Sequence, residues 1–226
     1  MQLSIIVPTL NEAGQVRHTL EALESLRSDC TEILVVDGGS RDETIALARS
    51  LVDRVISAPR GRAVQMNAGA AEAVGECLLF LHADTRLPKD APQMLAKVFG
   101  GGAVWGRFDV RLSGALPVLR VVEALMNWRS RLTGIATGDQ AVFVRRDIFL
   151  FIGGFPDIPL MEDIALSRRL KKIARPVCLR QHVVTSSRRW EEHGVWRTVF
   201  LMWRLRLRYF FGADPVQLAR AYYRQE

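Results

Sequence analysis

Cysteine is scarce in this sequence, and long apolar runs are absent from it. The three cysteines, Cys30, Cys77 and Cys178, are an odd number without CxxC spacing, which argues against a disulfide framework and a zinc site. A reducing compartment is the simplest inference. No apolar run reaches the roughly 18 residues that span a bilayer. No basic segment followed by an apolar one precedes the first expected strand, so we expect a cytoplasmic protein without a secretory signal.

Internal repeats, low-complexity segments and linkers are also missing. A length of 226 residues with 49% hydrophobic residues suits one domain with a substantial core. Acidic residues become rare towards the C-terminus: residues 164–226 contain 14 Lys and Arg against 4 Asp and Glu, whereas residues 1–163 contain 17 against 20. Such a basic segment is typical of a surface that meets an anionic partner, such as nucleic acid or phospholipid headgroups.

Four short apolar runs predict β-strands at residues 3–7, 33–36, 54–57 and 77–81. Helical segments alternate with these strands, with Asn11 as a plausible N-cap of the first helix and Ser40 and Glu43 as a capping box for the second. This alternation predicts βαβ units with both sheet faces covered. A later strand-like segment at 105–112 suits a mixed or antiparallel edge, and a further strand with a polar entrance is expected at 138–146. The predicted fold class is α/β, a single Rossmann-like domain with a mainly parallel mixed sheet.

The fourth of these runs ends in two potential metal ligands, His82 and Asp84. Open α/β sheets bind ligands at the carboxyl ends of their strands, where a carboxylate can hold a divalent cation against phosphates. Asp84 would then anchor a nucleotide-sugar site. The alternative is that Asp84 caps a turn before Pro88, as Asp and Thr after a strand often do.

Five stretches, taken in order, resemble the family 2 glycosyltransferases, enzymes with the A-type nucleotide-sugar fold. They are Ile5-Ile6-Val7-Pro8-Thr9-Leu10-Asn11-Glu12, Val35-Val36-Asp37-Gly38-Gly39-Ser40, Asn67–Gly69, Leu81-His82-Ala83-Asp84 and Met161-Glu162-Asp163. Each motif is weak by itself, but their order and approximate spacing over residues 3–170 make a strong signal. The His-Ala-Asp-Thr strand end is similar to that of a bacterial subgroup, some members of which are associated with glycosylating isoprenoid or carotenoid acids.

The resemblance implies an inverting transfer with two central carboxylates. Asp84 would hold Mg2+ or Mn2+ against the donor diphosphate and so neutralise the leaving group. Asp163 would be the base that takes the acceptor proton while the acceptor oxygen attacks the anomeric carbon opposite the diphosphate. Because Glu162 and Asp163 also open a predicted helix, favourable interaction with the helix dipole is the alternative explanation for both.

The resemblance also implies residues that bind the donor. Thr9, Glu12 and Asp37 would face the nucleoside. Arg62 and Gln65 would reach the uracil edge or the phosphates.

Three positions depart from the family's usual pattern. His82 stands where an acidic residue is usual, so it either takes part in metal binding or only closes the strand. A single Asp, Asp37, replaces the usual pair, which leaves the nucleobase preference open. Of the frequent Gln-x-x-Arg-Trp segment only Arg189 and Trp190 remain. They either touch the diphosphate and acceptor or form a surface Arg beside a packed Trp.

A basic amphipathic helix is expected at residues 195–211, with two apolar faces separated by arginines. One face carries Trp196, Val199, Phe200, Trp203, Leu207 and Phe210, and the other carries Leu201, Met202, Leu205 and Tyr209. One face can pack on the catalytic domain, and the second needs another apolar partner. Arginines at its margins suit an anionic membrane surface. A homodimer interface or a fully enclosed helix is the alternative.

This interpretation divides the chain into a catalytic domain, residues 1–180, and a C-terminal extension, residues 181–226. The extension would lie on the inner face of the cell membrane, and the acceptor would be lipid-linked or otherwise dissolved in the membrane. The expected donor is a nucleotide sugar.

Two other functions share some of these features. A sugar-nucleotide pyrophosphorylase shares the sheet type and the metal, but it needs a Gly-rich phosphate loop directly after the first strand, and Pro8–Glu12 contains no glycine. A non-catalytic module for a membrane or nucleic acid would explain the aromatics interleaved with arginines from Trp190 to Phe211. That module would leave Asp84 and Asp163 without a purpose, so we expect an enzyme that does not bind nucleic acid.

Overall fold

An eight-stranded sheet organises the computed structural model, which describes residues 1–223. The strands are β1 (Leu3–Thr9), β2 (Thr31–Asp37), β3 (Arg54–Ser57), β4 (Cys77–Phe80), β5 (Thr85–Arg86), β6 (Trp105–Leu112), β7 (Val142–Arg145) and β8 (Val177–Thr185). Their order across the sheet is β3-β2-β1-β4-β7-β6-β8-β5. The first four are parallel neighbours, β7 is antiparallel to β4 and β6, and β8 is parallel to β6 and antiparallel to β5. The mainly parallel mixed sheet expected from the sequence is confirmed.

The parallel half of the sheet follows from its continuous apolar runs. Ile5 in β1 lies beside Ile33 in β2 and Leu79 in β4, and all three side chains are fully buried. Successive strand residues point to opposite faces, so Ile6 packs in the other layer of the core. Strands of this kind are stable only when both faces are covered.

Helices cover both faces. They are α1 (Ala13–Glu24), α2 (Thr44–Ala48), α3 (Arg62–Glu72), α4 (Ala91–Gly100), α5 (Pro117–Thr133), α6 (Arg146–Phe151), α7 (Glu162–Leu170), α8 (Arg188–His193), α9 (Val195–Phe210) and α10 (Pro215–Tyr223), with a 3₁₀ turn at Gly138–Gln140. One core layer includes Leu20 of α1 and Leu119 of α5, and the other includes Met66 of α3 and Leu166 of α7.

Two capping predictions are wrong for a shared reason. Asn11 is not the N-cap of α1: its backbone φ is 53°, and its Oδ1 accepts a hydrogen bond from the amide of Arg41 at 2.8 Å. Ser40 does not cap α2, because its hydroxyl donates to the carboxylate of Asp37. Both side chains instead tie the loop after β1 to the loop after β2, since the Ser40 hydroxyl also accepts a hydrogen bond from the amide of Asn11 at 2.9 Å.

The C-terminal helices pack on the segment that leads into α7. The helix expected at residues 195–211 is confirmed as α9. Leu205 of α9 and Leu218 of α10 form a buried cluster with Met161 and Ile164. Strand β8 runs across position 180, where the sequence suggested a division of the chain, and that division stays a prediction. None of the helices within residues 1–223 is long and apolar enough to cross a membrane.

Candidate active site

The loops after β1, β2 and β4 lie at the carboxyl ends of neighbouring parallel strands, the usual ligand-binding edge of an open α/β sheet. Glu12 follows β1, and Asp84 follows β4. Burial raises the pKa of Glu12, and the negative charge of Asp84 raises it further. The fold therefore brings these two carboxylates together, although they are far apart in sequence.

Asp37 is buried at the end of β2 and shapes the loop that follows it. Its Oδ2 accepts hydrogen bonds from the backbone amides of Gly39 at 2.8 Å and Ser40 at 2.9 Å. Gly39 has a φ of 92°, a conformation that favours glycine. Asp37 thus fixes the backbone at the border of the site, and a direct contact with a nucleoside stays a prediction.

The side chain of Gln65, in α3, links the ends of β1 and β2. Its Nε2 donates hydrogen bonds to the carbonyl oxygens of Thr9 and Val36, each at 2.8 Å. Gly38 approaches the same amide so closely that a Cβ there would lie 2.9 Å from Gln65 Oε1. Gln65 and the buried Thr9 therefore hold the strand ends in place, and whether either also touches the donor stays a prediction.

Asp84 is attached to the far half of the sheet by two threonines. Its Oδ1 is 3.2 Å from Thr85 Oγ1 and 3.4 Å from Thr185 Oγ1, and both hydroxyls are its hydrogen-bond donors. Thr185 ends β8, which pairs with the short strand β5 directly after Asp84. Both hydrogen bonds reach the same oxygen, so among the described residues Oδ2 remains available to a ligand.

His82 is buried between the strand end and the 3₁₀ turn. Burial and then the positive charge of Arg62 lower the pKa of its imidazole, whereas the charges of Asp84, Asp139 and Asp163 act in the opposite direction. Its Nε2 has no hydrogen-bond partner within residues 1–223. Gly138 leaves room for this ring, since a Cβ there would lie 2.4 Å from Nε2. A buried nitrogen without a partner is uncommon and is suited to receive a ligand.

Asp163 lies in the first turn of α7 and is oriented by two backbone amides. Its Oδ1 accepts a hydrogen bond from Ile164 at 2.7 Å, and its Oδ2 accepts one from Gly138 at 3.0 Å. Met161, just before α7, has a φ of 71°, which non-glycine residues seldom adopt. The buried contact of Met161 with Leu205 of α9 stabilises this turn.

Glu162 was not assigned to the site from the sequence, yet it lies beside the assigned residues. It is 5% exposed, and its Oε1 is 3.9 Å from Nη1 of Arg62. Burial and then the charge of Asp163 raise the pKa of Glu162 to about 7, while Arg62 acts in the lowering direction. The only signal in the sequence is the adjacency of Glu162 and Asp163, since two neighbouring carboxylates at one buried helix start cannot ionise independently.

The 3₁₀ turn is the second feature that sequence reasoning missed. Thr137 and Gln140 form a reciprocal capping box around it, and Ala141 follows with a φ of 46°. This fixed turn directs the Gly138 amide towards Asp163. The Thr-x-x-Gln spacing is the signal that could have identified the turn.

Arg189 and Trp190 occupy different environments. Trp190 packs against the core, and the Arg189 guanidinium lies 3.9 Å from the centre of the Tyr222 ring. The positive charge of their exposed neighbour Arg188 acts to lower the pKa of Glu12, against the raising effect of burial. Arg188 therefore joins the basic groups around the site, and contacts of Arg189 and Trp190 with a substrate stay predictions.

A divalent cation fits these residues in part. Asp84 offers a carboxylate oxygen and His82 a neutral imidazole nitrogen, a combination that Mn2+ accepts more readily than Mg2+ does. Within residues 1–223, no three or more His, Cys, Asp or Glu side chains are arranged around one point to hold a metal. A cation bound here would therefore take its remaining ligands from the donor diphosphate and from water.

Comparison with known proteins gives a consistent assignment. Residues 4–148 match the family model described as "Glycosyl transferase family 2". The chain is 28% identical over 244 aligned positions to a protein named "Probable glycosyltransferase YdaM" of Bacillus subtilis, covering 96% of this chain and 56% of that protein. It is 30% identical over 169 positions to a "PGL/p-HBAD biosynthesis glycosyltransferase" of Mycobacterium bovis, covering 67% of this chain and 62% of that protein. This chain spans less than two thirds of the length of either relative.

Solved structures share the fold at low sequence identity. The mannosyltransferase PcManGT from Pyrobaculum calidifontis, in complex with GDP-Man and Mn2+, has a TM-score of 0.69 at 22% identity, covering 97% of this chain and 68% of that one. TarS 1–349 of S. aureus, in complex with UDP-GlcNAc, has a TM-score of 0.67 at 19% identity, covering 82% and 58%. The A-type fold expected from the sequence is therefore confirmed.

Proposed function

Because this chain belongs to glycosyl transferase family 2, we propose that it is an inverting, divalent-metal-dependent glycosyltransferase with a nucleotide-sugar donor. The observation that carries the proposal is the convergence of Asp84 and Asp163, whose charges both act on the buried His82. The complexes of similar folds with UDP-GlcNAc and GDP-Man support the donor class. A non-catalytic module would have no use for two carboxylates placed in this way, and a pyrophosphorylase would need a Gly-rich loop after β1 that Pro8–Glu12 does not provide.

The donor diphosphate lies beside Asp84, with Arg62 and Arg188 as its positive neighbours. Mg2+ or Mn2+, when bound through Asp84 and His82, supplies positive charge that stabilises the departing diphosphate. The nucleoside extends over the loops after β1 and β2, where Thr9, Glu12 and Asp37 were expected to meet it. The guanidinium groups of Arg62 and Arg188 suit a place beside the diphosphate, because guanidinium groups donate paired hydrogen bonds to phosphate oxygens.

Asp163 is the general base. The acceptor oxygen attacks the anomeric carbon from the face opposite the diphosphate, and the bond between that carbon and the diphosphate oxygen breaks. The bonding electron pair leaves with the nucleoside diphosphate, and an acceptor hydroxyl transfers its proton to Asp163. Configuration inverts in one displacement. An acceptor that is already a carboxylate would need no base, and Asp163 would then only help to place it.

The acceptor is proposed to be dissolved in a membrane, because α9 presents an apolar face without a partner in the described chain. Its inner face is anchored by the buried Leu205. Its outer face carries Trp196, Phe200, Trp203, Leu207 and Phe210, which are between 59% and 69% exposed. Apolar surface of this extent on one helix marks an interaction site rather than ordinary surface.

Helix α5 adds a second exposed apolar stripe, for which no surface role was predicted from the sequence. Its members, at helical spacing, are Val121, Leu125, Trp128 and Leu132. A shallow depression lined by Arg120, Val121, Ala124, Leu125 and Trp128 lies along it. Since α5 contacts α9, the two stripes are parts of one region of the surface.

The proposed partner of this region is an anionic bilayer. Helix α9 contains four arginines and no acidic residue. Arginines near a bilayer are attracted to anionic headgroups by about 1 kcal/mol each, while aromatic side chains enter the interface. A second copy of the chain is the alternative partner, and a homodimer would bury the same stripes.

Donor binding is the first test of the proposed function. Thermal unfolding would be measured with UDP-, GDP- and dTDP-sugars, each with and without Mn2+, because a ligand that binds only the native state raises its stability. We expect at least one donor to raise Tm, and only with Mn2+. If no donor changes Tm under either condition, the proposed function is wrong. A donor that binds without being transferred or hydrolysed would favour a binding module.

A further inference from the structure

Arg129, in the last two turns of α5, is a partly buried cation without a role in the proposed glycosyl transfer. Its Nε and Nη2 atoms are buried and have no hydrogen-bond partner within residues 1–223. An unpaired buried guanidinium destabilises a fold, because its donors lose their hydration without replacement. Burial and then the charge of Arg206 lower the pKa of Arg129 to about 10, so the group is still positively charged at pH 7.

One buried carboxylate, Asp109, is already used by other arginines. Asp109 pairs through one oxygen with the fully buried Arg107 and through the other with Arg131. Arg107 also adds its positive charge to the surroundings of Arg129. This part of the protein therefore contains more positive than negative charge, and an anion from outside the chain would balance it.

Arg129 is also close enough to the proposed base for their charges to interact. Asp163 and Asp139 are the two carboxylates whose charges raise the pKa of Arg129. Neither compensates the buried nitrogens by a hydrogen bond. Arg129 and Asp163 therefore belong to one region of the protein, so a group held by Arg129 can lie near the proposed base.

The position of Arg206 extends this region to the apolar surface. Arg129 directly follows the exposed Trp128 of α5, and Arg206 directly precedes the exposed Leu207 of α9. The two helices contact each other. An acceptor whose acid group lies between the two arginines would have its apolar chain along the exposed stripes. The reactive end of that acceptor would lie near Asp163.

We propose that Arg129 and Arg206 form a binding site for the anionic acid group, a carboxylate or a phosphate, of an amphiphilic acceptor. The inference rests on the proposed function, because it assigns the acceptor side of that site. Guanidinium groups suit this ligand because their planar array of donors matches the two oxygens of a carboxylate or phosphate. The acid group supplies the missing negative charge, and the apolar chain supplies burial that a free anion lacks.

The test compares ligands that differ only in the head group. Binding of dodecyl phosphate, dodecanoate and dodecanol, each below its aggregation concentration, would be followed by tryptophan fluorescence, with inorganic phosphate as a fourth ligand. We expect at least one acid to bind about tenfold or more tightly than dodecanol, the usual worth of a charge-assisted hydrogen bond. The acid that binds more tightly identifies the head group.

Two variants and a matched control test whether Arg129 and Arg206 cause the preference for the acid head group. Arg129→Met and Arg206→Met should each reduce the preference for the acid about tenfold, whereas Arg220→Met, at an exposed position of α10, should retain it. Equal binding of all three amphiphiles to the native protein would overturn the inference, and so would an unchanged preference in both variants. Inorganic phosphate binding as tightly as dodecyl phosphate would also overturn it, because the site would then take a free anion.

Thermal stability separates a binding role from a structural one. Since the buried Nε and Nη2 atoms of Arg129 have no hydrogen-bond partner within residues 1–223, Arg129→Met should keep or raise Tm in the absence of ligand. A large loss of Tm would mean that Arg129 holds the fold together, which contradicts a vacant anion site. Arg206→Met tests the same site from α9 in that case.

Donor binding distinguishes this inference from the proposed function. Both variants should still bind the nucleotide sugar with Mn2+, because neither residue belongs to the donor side. If donors bind but no preference for the acid is found, only the acceptor inference fails. If no donor binds to the native protein, the proposed function itself fails, whatever the amphiphiles do.

Discussion

The backbone amide of Gly138 donates a hydrogen bond to Oδ2 of Asp163 at 3.0 Å. This bond joins the 3₁₀ turn before β7 to the first turn of α7, two segments that are separated in the chain by β7 and α6. The amide of Ile164 holds the other oxygen at 2.7 Å. A general base must present its carboxylate in one direction, and these two backbone donors provide that orientation.

Replacing Asp163 with Asn should affect chemistry more than donor binding. If Asp163 is the base, kcat should fall by about 10² to 10⁴, the usual contribution of a positioned base. The donor Kd should stay near that of the native protein. Steady-state kinetics and donor titration with Mn2+ would separate the two effects.

The matched control for this change is Asp157→Asn, because Asp157 is an exposed aspartate before α7. It should leave both kcat and Kd unchanged. A large loss of donor affinity in Asp163→Asn would contradict the role of a base and would place the residue on the donor side.

Replacing Asp84 with Asn should remove the dependence of donor binding on Mn2+. The carboxamide keeps the size of the side chain and an acceptor for Thr85 and Thr185, so the fold should persist. The gain in Tm from the donor with Mn2+ should disappear, whereas Asp90→Asn, at an exposed aspartate directly before α4, should keep it. Undiminished turnover of Asp84→Asn, or of the native enzyme in EDTA, would rule out the metal.

Glu162 should make the stability of the protein depend on pH. Its pKa is raised from an ordinary value of 4.5 to about 7, so the native state binds this proton more tightly than the unfolded state does. The contribution of Glu162 is therefore greatest below pH 4.5 and is lost as the pH rises through about 7. Glu162→Gln should be more stable than the native protein at pH 8, by at most about 3 kcal/mol.

Chemical denaturation of Glu162→Gln between pH 5 and 8 is the measurement. The loss of the ion pair with Arg62 should cost little, because the Arg62 side chain is 53% exposed. Glu24→Gln, an exposed position on α1, should follow the native curve throughout. If the free energies of unfolding of the native protein and of Glu162→Gln change with pH in parallel, the pKa of Glu162 is not raised and the prediction is wrong.

The outer face of α9 should bind anionic liposomes. The native protein should float with vesicles that contain phosphatidylglycerol and less with neutral vesicles, because both the arginines and the apolar side chains contribute. The double change Phe200→Ser and Trp203→Ser should abolish flotation, since both side chains lie on that face. Ser replacement of Phe151, which is 81% exposed on α6, should leave it intact.

Flotation also decides between a membrane and a second copy of the chain. If the native protein fails to float with either vesicle type and α9 is intact by circular dichroism, the membrane proposal is wrong. Sedimentation equilibrium would then test the homodimer. In that case the same two Ser replacements should lower the association constant.

Local sequence determined the elements and the positions of the strand ends. Continuous apolar runs specify buried parallel strands, so the ends of β1, β2 and β4 and the acidic residues after them could be predicted without a structure. The period of α9 likewise predicted a helix with two apolar faces. These features depend only on neighbours along the chain.

The tertiary structure decided which side chains meet. Asn11 and Ser40 have the residue types of helix caps, but contacts between two loops compete with capping and prevail. Glu162 and Arg129 resemble ordinary charged residues in the sequence. Their burial, which gives them their shifted pKa values, depends on packing against segments distant in sequence.

The sequence by itself therefore determined the fold class, the strand end that carries Asp84 and the helix α9, because apolar periodicity and strand ends are local properties. Asp163 is singled out only by the family resemblance, and the roles of both carboxylates stay predictions. The sequence did not determine that Gly138 orients Asp163, that Nε2 of His82 has no hydrogen-bond partner within residues 1–223, or that α5 and α9 contact each other. Hydrogen bonds, burial and charge interactions of this kind arise only when distant segments pack together, and only the tertiary structure decides them.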